Sequence, residues 1–319
     1  MSNFYESDYK ADNMTVSRVE IDLGNPNEIY KYLTSKVAFQ DEYCRDAAMI
    51  LWKHIKAQYG GVYFVTGPSG CGKTYVWESI KKVYPNIIIC DASSISANGW
   101  TGNNKVTSFT DFMNPDDSNY IVVFDESDKL FQPRFDRGGA NVSADIASEF
   151  LKLVDGMKIQ GRGGAPFDTS KMTFIFCGSF GTKAEEISEA ESSTGFGFGQ
   201  KSEKHVAYER KLTIQDLIDA GVIRELASRA IRICHVRPLS LDDYIHLLED
   251  HTGSPVKLLE QKKGVKLNVS EDCIRRIANN AYKNGLGVRN CVKQLESMID
   301  DQVFESFRCN GIEPEEISL

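Results

Sequence analysis

The chain has 319 residues and a formal net charge of −8 at pH 7, and its hydrophobic and charged fractions of 41% and 26% are ordinary for a globular protein. This length allows one large domain and a smaller one. The acidic balance argues against nucleic acid as a bulk electrostatic partner, and no apolar run approaches the roughly 18 residues of a membrane span.

The first residues and the cysteines bear on the compartment. Residues 1–24 are polar and lack the apolar centre of a signal peptide, so we expect a cytoplasmic protein with a flexible N-terminal arm over this range. The eight cysteines are scattered without a C-x-x-C pair, which argues against a zinc module. Several fall in predicted strands, as buried reduced thiols do.

Two helices and a strand are predicted before the first motif. The first helix opens at Asn25 and continues through Leu33, and a longer one begins at Asp41 with its apolar residues on one face. The run from Val62 to Thr66 is rich in β-branched and aromatic residues and predicts a buried strand.

The segment after this strand fits G-x-x-x-x-G-K-[ST], the loop whose backbone N–H groups cradle phosphates before a helix. Lys73 is expected to reach the β- and γ-phosphates of ATP, and Thr74 to ligate Mg²⁺. A glycine turn with an accidental lysine is the alternative, which the match of all eight positions disfavours. The predicted nucleotide-binding residues are Gly67, Pro68, Ser69, Gly70, Cys71, Gly72, Lys73 and Thr74.

A second nucleotide signature ends the third predicted strand. The apolar runs Asn86 to Asp91 and Tyr120 to Phe124 predict strands, and the latter leads into Asp125 and Glu126. Asp125 is expected to hold Mg²⁺, directly or through water, and Glu126 to orient and polarise the attacking water as a general base. Two solvated acids that cap a strand are the alternative reading.

The rest of the large domain alternates in the same way. The segment from Phe131 to Ala144 is rich in Gly and Arg and predicts a mobile loop, with a helix from about Ser143. Strands are predicted at Thr173 to Cys177 and Ala230 to Cys234. Ser179, just after the first of these, is expected to sense the γ-phosphate, although a serine in a turn is commonplace.

From Pro238 the sequence is mainly helical, with predicted helix starts at Ser240, Ser254 and Ser270. We therefore expect a large domain over residues 25–236 and a small helical lid over 237–319. Five buried strands alternating with helices predict an α/β fold of the P-loop NTPase class, with a parallel five-stranded sheet and helices on both faces.

Several segments, in order, resemble the AAA+ ATPases of the ClpX protein-unfoldase family over roughly residues 25–308. One strand intervenes between the phosphate-loop strand and the strand that ends in two acids, which suits the additional-strand class to which AAA+ proteins belong. The segments that carry the resemblance are Asp125 to Leu130, Asp168 to Lys171 with Phe176 to Phe180, Asp216 to Leu226 with Ser228 and Arg229, and Gly287 to Arg289.

This resemblance implies roles at the nucleotide site. Arg229 is expected to be an arginine finger that projects into the neighbouring subunit's nucleotide, which implies a homo-oligomeric ring, a hexamer. Arg289 is expected to touch the phosphates from the lid. A surface ion pair is the alternative for either arginine. The residues expected to line the adenine pocket are Val37, Ala38 and Gln40.

The resemblance also implies two functional loops. Trp100, Thr101 and Gly102 fall where the family carries a pore loop that grips polypeptide, with local burial of the tryptophan as the alternative. Phe196, Gly197 and Phe198 fall where the family has a docking tripeptide for the ClpP peptidase, with a linker folded back on its own domain as the alternative. The family's zinc-binding domain and basic pore-entrance tripeptide are absent from the sequence, so we expect different substrate choice.

The implied function is an ATP-hydrolysing, ring-forming unfoldase or remodelling motor that threads protein substrates through a central pore and feeds a ClpP-like peptidase. The alternative is a nucleotide-switched assembly module that serves a dedicated partner in a defence, transposition or mobile-element system. A nucleic-acid motor is a third possibility, which the charge of −8 disfavours.

Overall fold

A computed structural model of the chain describes residues 21–319, apart from residues 58–59, 97–103, 115–116, 118, 136–138, 140, 161–163, 165, 182–209, 250–252, 286 and 313. Some sequence predictions therefore lie outside the described residues. They are most of the N-terminal arm, the pore-loop residues Trp100, Thr101 and Gly102, and the docking residues Phe196, Gly197 and Phe198.

Two helices precede the sheet, α1 (Pro26–Lys36) and α2 (Asp41–Ala57). The side-chain oxygen of Asn25 accepts a hydrogen bond from the Asn27 N–H at 3.0 Å, and Pro26 occupies the first turn of α1. Both features favour the start of a helix at this point. The two predicted helices are thus present, and α1 runs three residues beyond its predicted end.

The large domain continues with alternating strands and helices. Each of the five predicted strands begins and ends within one residue of its observed limits. The elements are β1 (Val62–Thr66), α3 (Lys73–Lys81), β2 (Ile87–Asp91), β3 (Ile95–Ser96), β4 (Asn104–Lys105), β5 (Ile121–Asp125), α4 (Asp128–Phe131), α5 (Val142–Val154), β6 (Lys158–Gln160), β7 (Pro166–Asp168), β8 (Thr173–Gly178), α6 (Ile214–Asp219), α7 (Arg224–Ala227) and β9 (Ala230–His235).

The main sheet has the strand order β2-β5-β8-β1-β9, and every neighbouring pair is parallel. All five residues of β1 are buried, because the strand is covered on both faces. Its alternate residues enter different cores, Tyr63 and Val65 on one face and Val62 and Phe64 on the other. The parallel five-stranded sheet with helices on both faces is therefore confirmed.

The two cores differ in what they join. One contains a cluster of aromatic rings, in which the Phe124 and Phe150 centroids lie 4.8 Å apart and those of Phe64 and Phe176 lie 5.2 Å apart. The other contains the buried residues of α1, α2 and α3 and continues without a break into Leu239 and the residues beyond it. The second core therefore connects the large domain to the lid.

The lid is mainly helical, as predicted, and three of its helices begin after a capping serine, Ser240, Ser254 or Ser270. The Ser240 and Asp243 side chains each accept a hydrogen bond from the other residue's backbone N–H. Its elements are α8 (Leu241–Glu249), α9 (Pro255–Lys263), β10 (Lys266–Asn268), α10 (Glu271–Asn284), α11 (Val288–Asn310) and β11 (Glu316–Ser318), and β10 pairs with β11 in parallel.

Several short elements were not predicted from the sequence. An antiparallel hairpin of β6 and β7 follows α5, and the short helix α4 ends at Phe131, where the predicted mobile loop begins. The strand β11 was not predicted either, since three residues show no clear alternation. Within the described part of the chain, no helix is long and apolar enough to cross a membrane.

Candidate functional site

The phosphate loop begins directly after β1. Gly67 has a φ of 152°, and a Cβ atom at this position would lie 2.3 Å from the carbonyl oxygen of Val236. The first loop residue therefore lies against the segment that leaves β9, where a side chain would not fit. The loop ends at α3, whose first backbone N–H groups have no partner within the helix and can face an anion.

The Lys73 side chain turns back into this loop. Its ammonium donates hydrogen bonds to the carbonyl oxygens of Gly67 at 2.9 Å and Pro68 at 2.8 Å. Burial lowers the pKa of Lys73, and the nearby Asp125 and Asp128 carboxylates offset part of that effect. A cation is thus held inside the loop, beside the acids that follow β5.

The two predicted Mg²⁺ ligands, Thr74 and Asp125, lie on α3 and at the end of β5. Both residues are half-buried, and the Asp125 carboxylate accepts a hydrogen bond from the Glu126 N–H at 2.9 Å. A hydroxyl and a carboxylate are hard oxygen donors of the kind that Mg²⁺ prefers, and Mg²⁺ commonly completes its shell with water and substrate phosphates. These residues fit that ion.

Glu126, the predicted general base, has an unusual backbone. Its φ is 55°, in the left-handed region that a non-glycine residue adopts at a cost. The side chain is 47% exposed, and its carboxylate accepts a hydrogen bond from the Lys129 ammonium. This bond raises the pKa of Lys129. The carboxylate is therefore partnered by a surface cation one turn further along the chain.

Ser179 lies just beyond β8, the strand between β5 and β1. Its hydroxyl donates a hydrogen bond to the Asp128 carboxylate at 2.7 Å. Asp128 is also so close to Gly178 that a Cβ there would approach its Oδ1 atom to 2.6 Å. The serine predicted to contact the γ-phosphate is thus joined to the acid two residues after Glu126.

The link between α1 and α2 reaches the loop from the other side. Val37 is buried, and its Cγ1 atom would lie 3.7 Å from a Cβ atom on Gly72, while Ala38 is half-buried. Gln40 is only 3% exposed, and its amide nitrogen donates to the Cys71 carbonyl oxygen at 3.3 Å. Two of the three residues predicted at the adenine pocket, Val37 and Gln40, therefore contact the phosphate loop.

The lid contacts the loop directly at the start of α11. The Val288 N–H donates a hydrogen bond to the Gly70 carbonyl oxygen at 3.0 Å. Gly287 has a φ of 67°, and a Cβ atom on it would lie 2.5 Å from the Gly70 Cα atom. Only glycine permits both this backbone and this approach.

Arg289 follows in the first turn of α11 and is exposed. Burial raises the pKa of Glu78 on α3, and the nearby Asp125 raises it further, whereas Arg289 lowers it. The predicted lid arginine is therefore close enough to α3 to act electrostatically on Glu78.

Arg229 lies elsewhere, at the entry to β9. Its guanidinium binds both carboxylate oxygens of Asp155, which follows α5, with the Nη2–Oδ2 distance at 2.8 Å. It also donates to the Glu225 carbonyl oxygen at 2.6 Å. The structure thus places this arginine in a fork-shaped ion pair of its own chain rather than at the phosphate loop.

The sequence matches a known family over the region just described. Residues 60–233 match the family described as AAA domain (Cdc48 subfamily), and this range is more than half of the chain. The chain belongs to the AAA family. The matched range of this AAA protein contains the phosphate loop, both acids after β5 and Arg229.

The AAA protein is also similar to curated ClpX proteins. It is 24% identical to the ATP-dependent Clp protease ATP-binding subunit ClpX of Porphyromonas gingivalis, over 89% of this chain and 78% of the relative. The protein of that name from Treponema denticola is 26% identical over 91% and 79% of the two chains. An ATP-dependent clpX-like chaperone, mitochondrial, of Saccharomyces cerevisiae is 24% identical over 74% and 57%.

These findings establish the class of protein. The AAA match and the ClpX-like relatives make the chain a nucleotide-binding AAA ATPase of ClpX-like type, within a family of unfoldases and chaperones. The predicted family, fold and ATPase activity are confirmed. Sequence reasoning did not find the partner residues Lys129, Asp128 and Asp155, of which the first two lie in the quoted segment after β5.

Proposed function

We propose that this AAA protein is a subunit of a homo-oligomeric ring, a hexamer, that couples ATP hydrolysis to the unfolding and threading of protein substrates. The observation that carries the proposal is the contact between lid and phosphate loop, where the Val288 N–H donates to Gly70. Phosphates bound by this loop lie beside that contact, so hydrolysis can move the lid. A motor needs such a connection between chemistry and domain position.

Nucleotide binding follows from the loop. Its backbone N–H groups and the start of α3 hold the phosphates, and the Lys73 ammonium leaves the Gly67 and Pro68 carbonyls for the β- and γ-phosphate oxygens. Thr74 and Asp125 would hold Mg²⁺, which neutralises charge on the phosphates. Val37 and Ala38, which lie between α1 and α2, and Arg289, which lies on the lid helix α11, complete the proposed site.

Hydrolysis needs a base beside the γ-phosphate. In the proposed reaction the Glu126 carboxylate leaves Lys129, accepts a hydrogen bond from water and takes its proton as the water oxygen attacks the γ-phosphorus. The bond between that phosphorus and the bridging oxygen of the β-phosphate breaks, and ADP leaves with the electron pair. The Ser179 hydroxyl, which donates to Asp128 in the structure, would contact the γ-phosphate from the tip of β8. The strained Glu126 backbone supports a functional role for this position.

The proposal of a ring rests on Arg229. Its side chain is 35% exposed, and an exposed ion pair of this kind contributes about 0–1 kcal/mol. A phosphate of the neighbouring subunit can therefore replace Asp155 as its partner. In that position the guanidinium would stabilise charge on the transferring phosphoryl group. Similarity to ClpX over 89% of the chain supports the same assembly.

Two segments outside the described residues are proposed to contact the substrate and the partner. We propose that Trp100, Thr101 and Gly102 grip polypeptide in the pore. Phe196, Gly197 and Phe198 would dock on a ClpP-like peptidase. The support for a peptidase partner is the name of the bacterial relatives, ATP-binding subunits of an ATP-dependent Clp protease.

Two variants test this function. Glu126→Gln should bind ATP but lose hydrolysis by about 10²-fold or more, whereas Glu271→Gln, the same change on an exposed lid helix, should hydrolyse normally. Trp100→Ala should hydrolyse ATP yet fail to unfold a tagged folded substrate, measured by loss of its fluorescence. Unfolding by the Trp100 variant at the wild-type rate would contradict the pore assignment.

Two contacts favour a second function, a nucleotide-controlled assembly switch for a dedicated partner. Glu126 is engaged by Lys129 and Arg229 by Asp155, so both hydrolytic groups are held within their own chain. Turnover would then stay slow until a partner releases them. Steady turnover that rises with unfolded protein supports the motor, and slow turnover changed only by one specific partner supports the switch.

A further inference from the structure

The lid is joined to the large domain by the short segment between β9 and α8, and one residue of this segment, Arg237, is held from both sides. Its backbone is bonded to Gln40 of the large domain, and its side chain is bonded to Asp243 of the lid. Because the backbone of Arg237 contacts the large domain and its side chain contacts the lid, each contact can be removed by a substitution that leaves the other in place.

The large-domain contact is a pair of hydrogen bonds. The Gln40 amide nitrogen donates to the Arg237 carbonyl oxygen at 2.9 Å, and the Gln40 amide oxygen accepts from the Arg237 N–H at 3.1 Å. A side-chain amide thus pairs with both backbone groups of Arg237, as a neighbouring strand would. Since Gln40 is 3% exposed, water competes little for these bonds.

The same amide also reaches the phosphate loop. Its nitrogen donates a second hydrogen bond, to the Cys71 carbonyl oxygen at 3.3 Å. One residue earlier, the Val236 N–H donates to the Thr66 carbonyl oxygen at 2.8 Å. The phosphate loop and the linker are therefore joined through the Gln40 amide and through the bond between Val236 and Thr66.

The lid contact is an ion pair with two bonds. The Arg237 guanidinium donates to the two carboxylate oxygens of Asp243 at 2.6 and 3.1 Å, and to the Pro238 carbonyl oxygen at 3.1 Å. The hydrogen bond to Asp243 raises the pKa of Arg237. Asp243 also accepts from the Ser240 N–H at 2.8 Å, so the ion pair is attached to the first turn of α8.

We infer that Gln40, Arg237 and Asp243 form a linkage that sets the angle of the lid from the state of the phosphate loop. Gln40 is then a positioning residue rather than an adenine contact, and Asp243 is its counterpart on the lid. The inference rests on the ATP-driven lid movement of the proposed function. It predicts that removal of the Asp243 charge uncouples the lid from the phosphate loop without weakening nucleotide binding.

Asp243→Asn is the cleanest variant, because asparagine can still accept from the Ser240 N–H while the ion pair with Arg237 is lost. Asp242→Asn is the matched control. Asp242 is exposed in the same first turn and carries the same charge, and the described bonds of Arg237 do not include it. Both variants change the net charge and the helix N-terminus in the same way.

The direct measurement is a distance between domains in the full-length chain. Cys309 on α11 is exposed, whereas the other seven cysteines are buried, so one spin label can be attached there and a second at Lys53→Cys on α2. Pulsed electron spin resonance then gives the distance distribution with and without a non-hydrolysable ATP analogue. Asp243→Asn should broaden it and reduce the nucleotide-dependent shift by half or more, and Asp242→Asn should leave both unchanged.

Kinetics provide a second readout. Asp243→Asn should lower kcat about 3- to 10-fold with KM within about twofold of wild type, as expected for lost coupling rather than lost binding. Gln40→Met removes the other half of the linkage. If the residues act in one linkage, the double variant should lose little more than either single variant. Equal behaviour of Asp243→Asn and Asp242→Asn, or additive losses in the double variant, would overturn the inference.

The two proposals fail in different ways. Absence of unfolding activity in the wild-type chain would contradict the motor, but the spin-label distances would still test the linkage. A normal motor whose lid responds to nucleotide equally well in wild type and Asp243→Asn would contradict the linkage alone.

Discussion

The phosphate loop and the groups proposed for hydrolysis are held in two different ways. The loop is fixed by close backbone contacts, such as Gly70 against Gly287, and by the buried Gln40 amide. Glu126 and Arg229 are instead held by partly exposed ion pairs with Lys129 and Asp155. Buried contacts are costly to break, whereas exposed pairs contribute about 0–1 kcal/mol and exchange readily.

This difference separates the contacts that are already formed around the phosphate loop from the ion pairs that have to break for the proposed hydrolysis. The binding half of the site is assembled in the single chain, with lid and loop already in contact. The groups proposed for hydrolysis are held by exposed ion pairs, which a phosphate or a neighbouring subunit would replace in the proposed ring. Variants that break the buried contacts should therefore have large effects, and variants that remove only the exposed partners Lys129 and Asp155 should have small ones.

The largest effect is expected for Gly287→Ala. The new Cβ atom would lie 2.5 Å from Gly70, at a φ of 67° that L-residues avoid. Overpacking costs about 1–3 kcal/mol and the backbone about 1–2 kcal/mol, so ATP affinity measured by titration should fall at least tenfold. Gly285→Ala is the control for strain alone, since it has a φ of 61° and open space around its Cβ. Equal losses in both variants would contradict the contact.

Acid should destabilise the fold through His54, a buried residue of α2. Burial lowers the pKa of His54 to about 4 from an ordinary value of 6.5, so the unfolded chain binds its proton more readily. The contribution of neutral His54 to the free energy of unfolding is fully present above pH 6.5 and decreases as the pH falls. About 3 kcal/mol of it is lost by pH 4. Denaturant unfolding of His54→Gln between pH 4 and 7 should show a shallower pH dependence than wild type. An unchanged pH dependence in His54→Gln would contradict this role of His54.

A smaller effect is expected for Asp155→Asn in the exposed region. Loss of the fork-shaped pair frees Arg229 for the neighbouring subunit, so ATP turnover of the assembled ring should rise about two- to fivefold. Salt screens the pair in wild type, and the difference should shrink as ionic strength increases. Asp155→Asn combined with Arg229→Ala should be as inactive as Arg229→Ala alone. Slower turnover in the single variant would show that Asp155 positions the arginine productively.

The smallest effect is expected for Lys129→Gln. Its pair with Glu126 spans three residues on the surface, and such pairs contribute about 0.2–0.5 kcal/mol. Release of the carboxylate should raise kcat by no more than about twofold in steady-state assays. Lys53→Gln, which removes a lysine charge on α2, should have no effect. A marked loss of turnover would mean that Lys129 orients the base.

The sequence predicts the local features of this fold well. Buried strands, serine caps and glycine stops are encoded within a few residues, so the five strands and the helix starts at Ser240, Ser254 and Ser270 are recovered. The pairings that organise the site are not local. Arg229 and Asp155 are 74 residues apart, and Gln40 and Arg237 are 197 apart.

Tertiary packing decides such contacts, and a single sequence carries no periodic signal for them. The same reason explains the missed strand β11, which is three residues long and pairs with a segment 50 residues earlier. Gln40 illustrates the limit most clearly. Its position in the first link gave it a predicted role at the adenine pocket, whereas its hydrogen bonds join the linker and the loop.

The glycine contact between lid and loop has a mechanical consequence. It lies at the first turn of α11, whose 23 residues give a rod about 34 Å long. With the contact as its fulcrum, a rotation of about 5° would move the far end of a rod of that length by about 3 Å. Phe304 and Phe307 lie near that end and are 67% and 50% exposed. In the proposed motor, helix α11 would therefore act as a lever that carries a small rotation at the phosphate loop to Phe304 and Phe307 as a displacement of several ångströms.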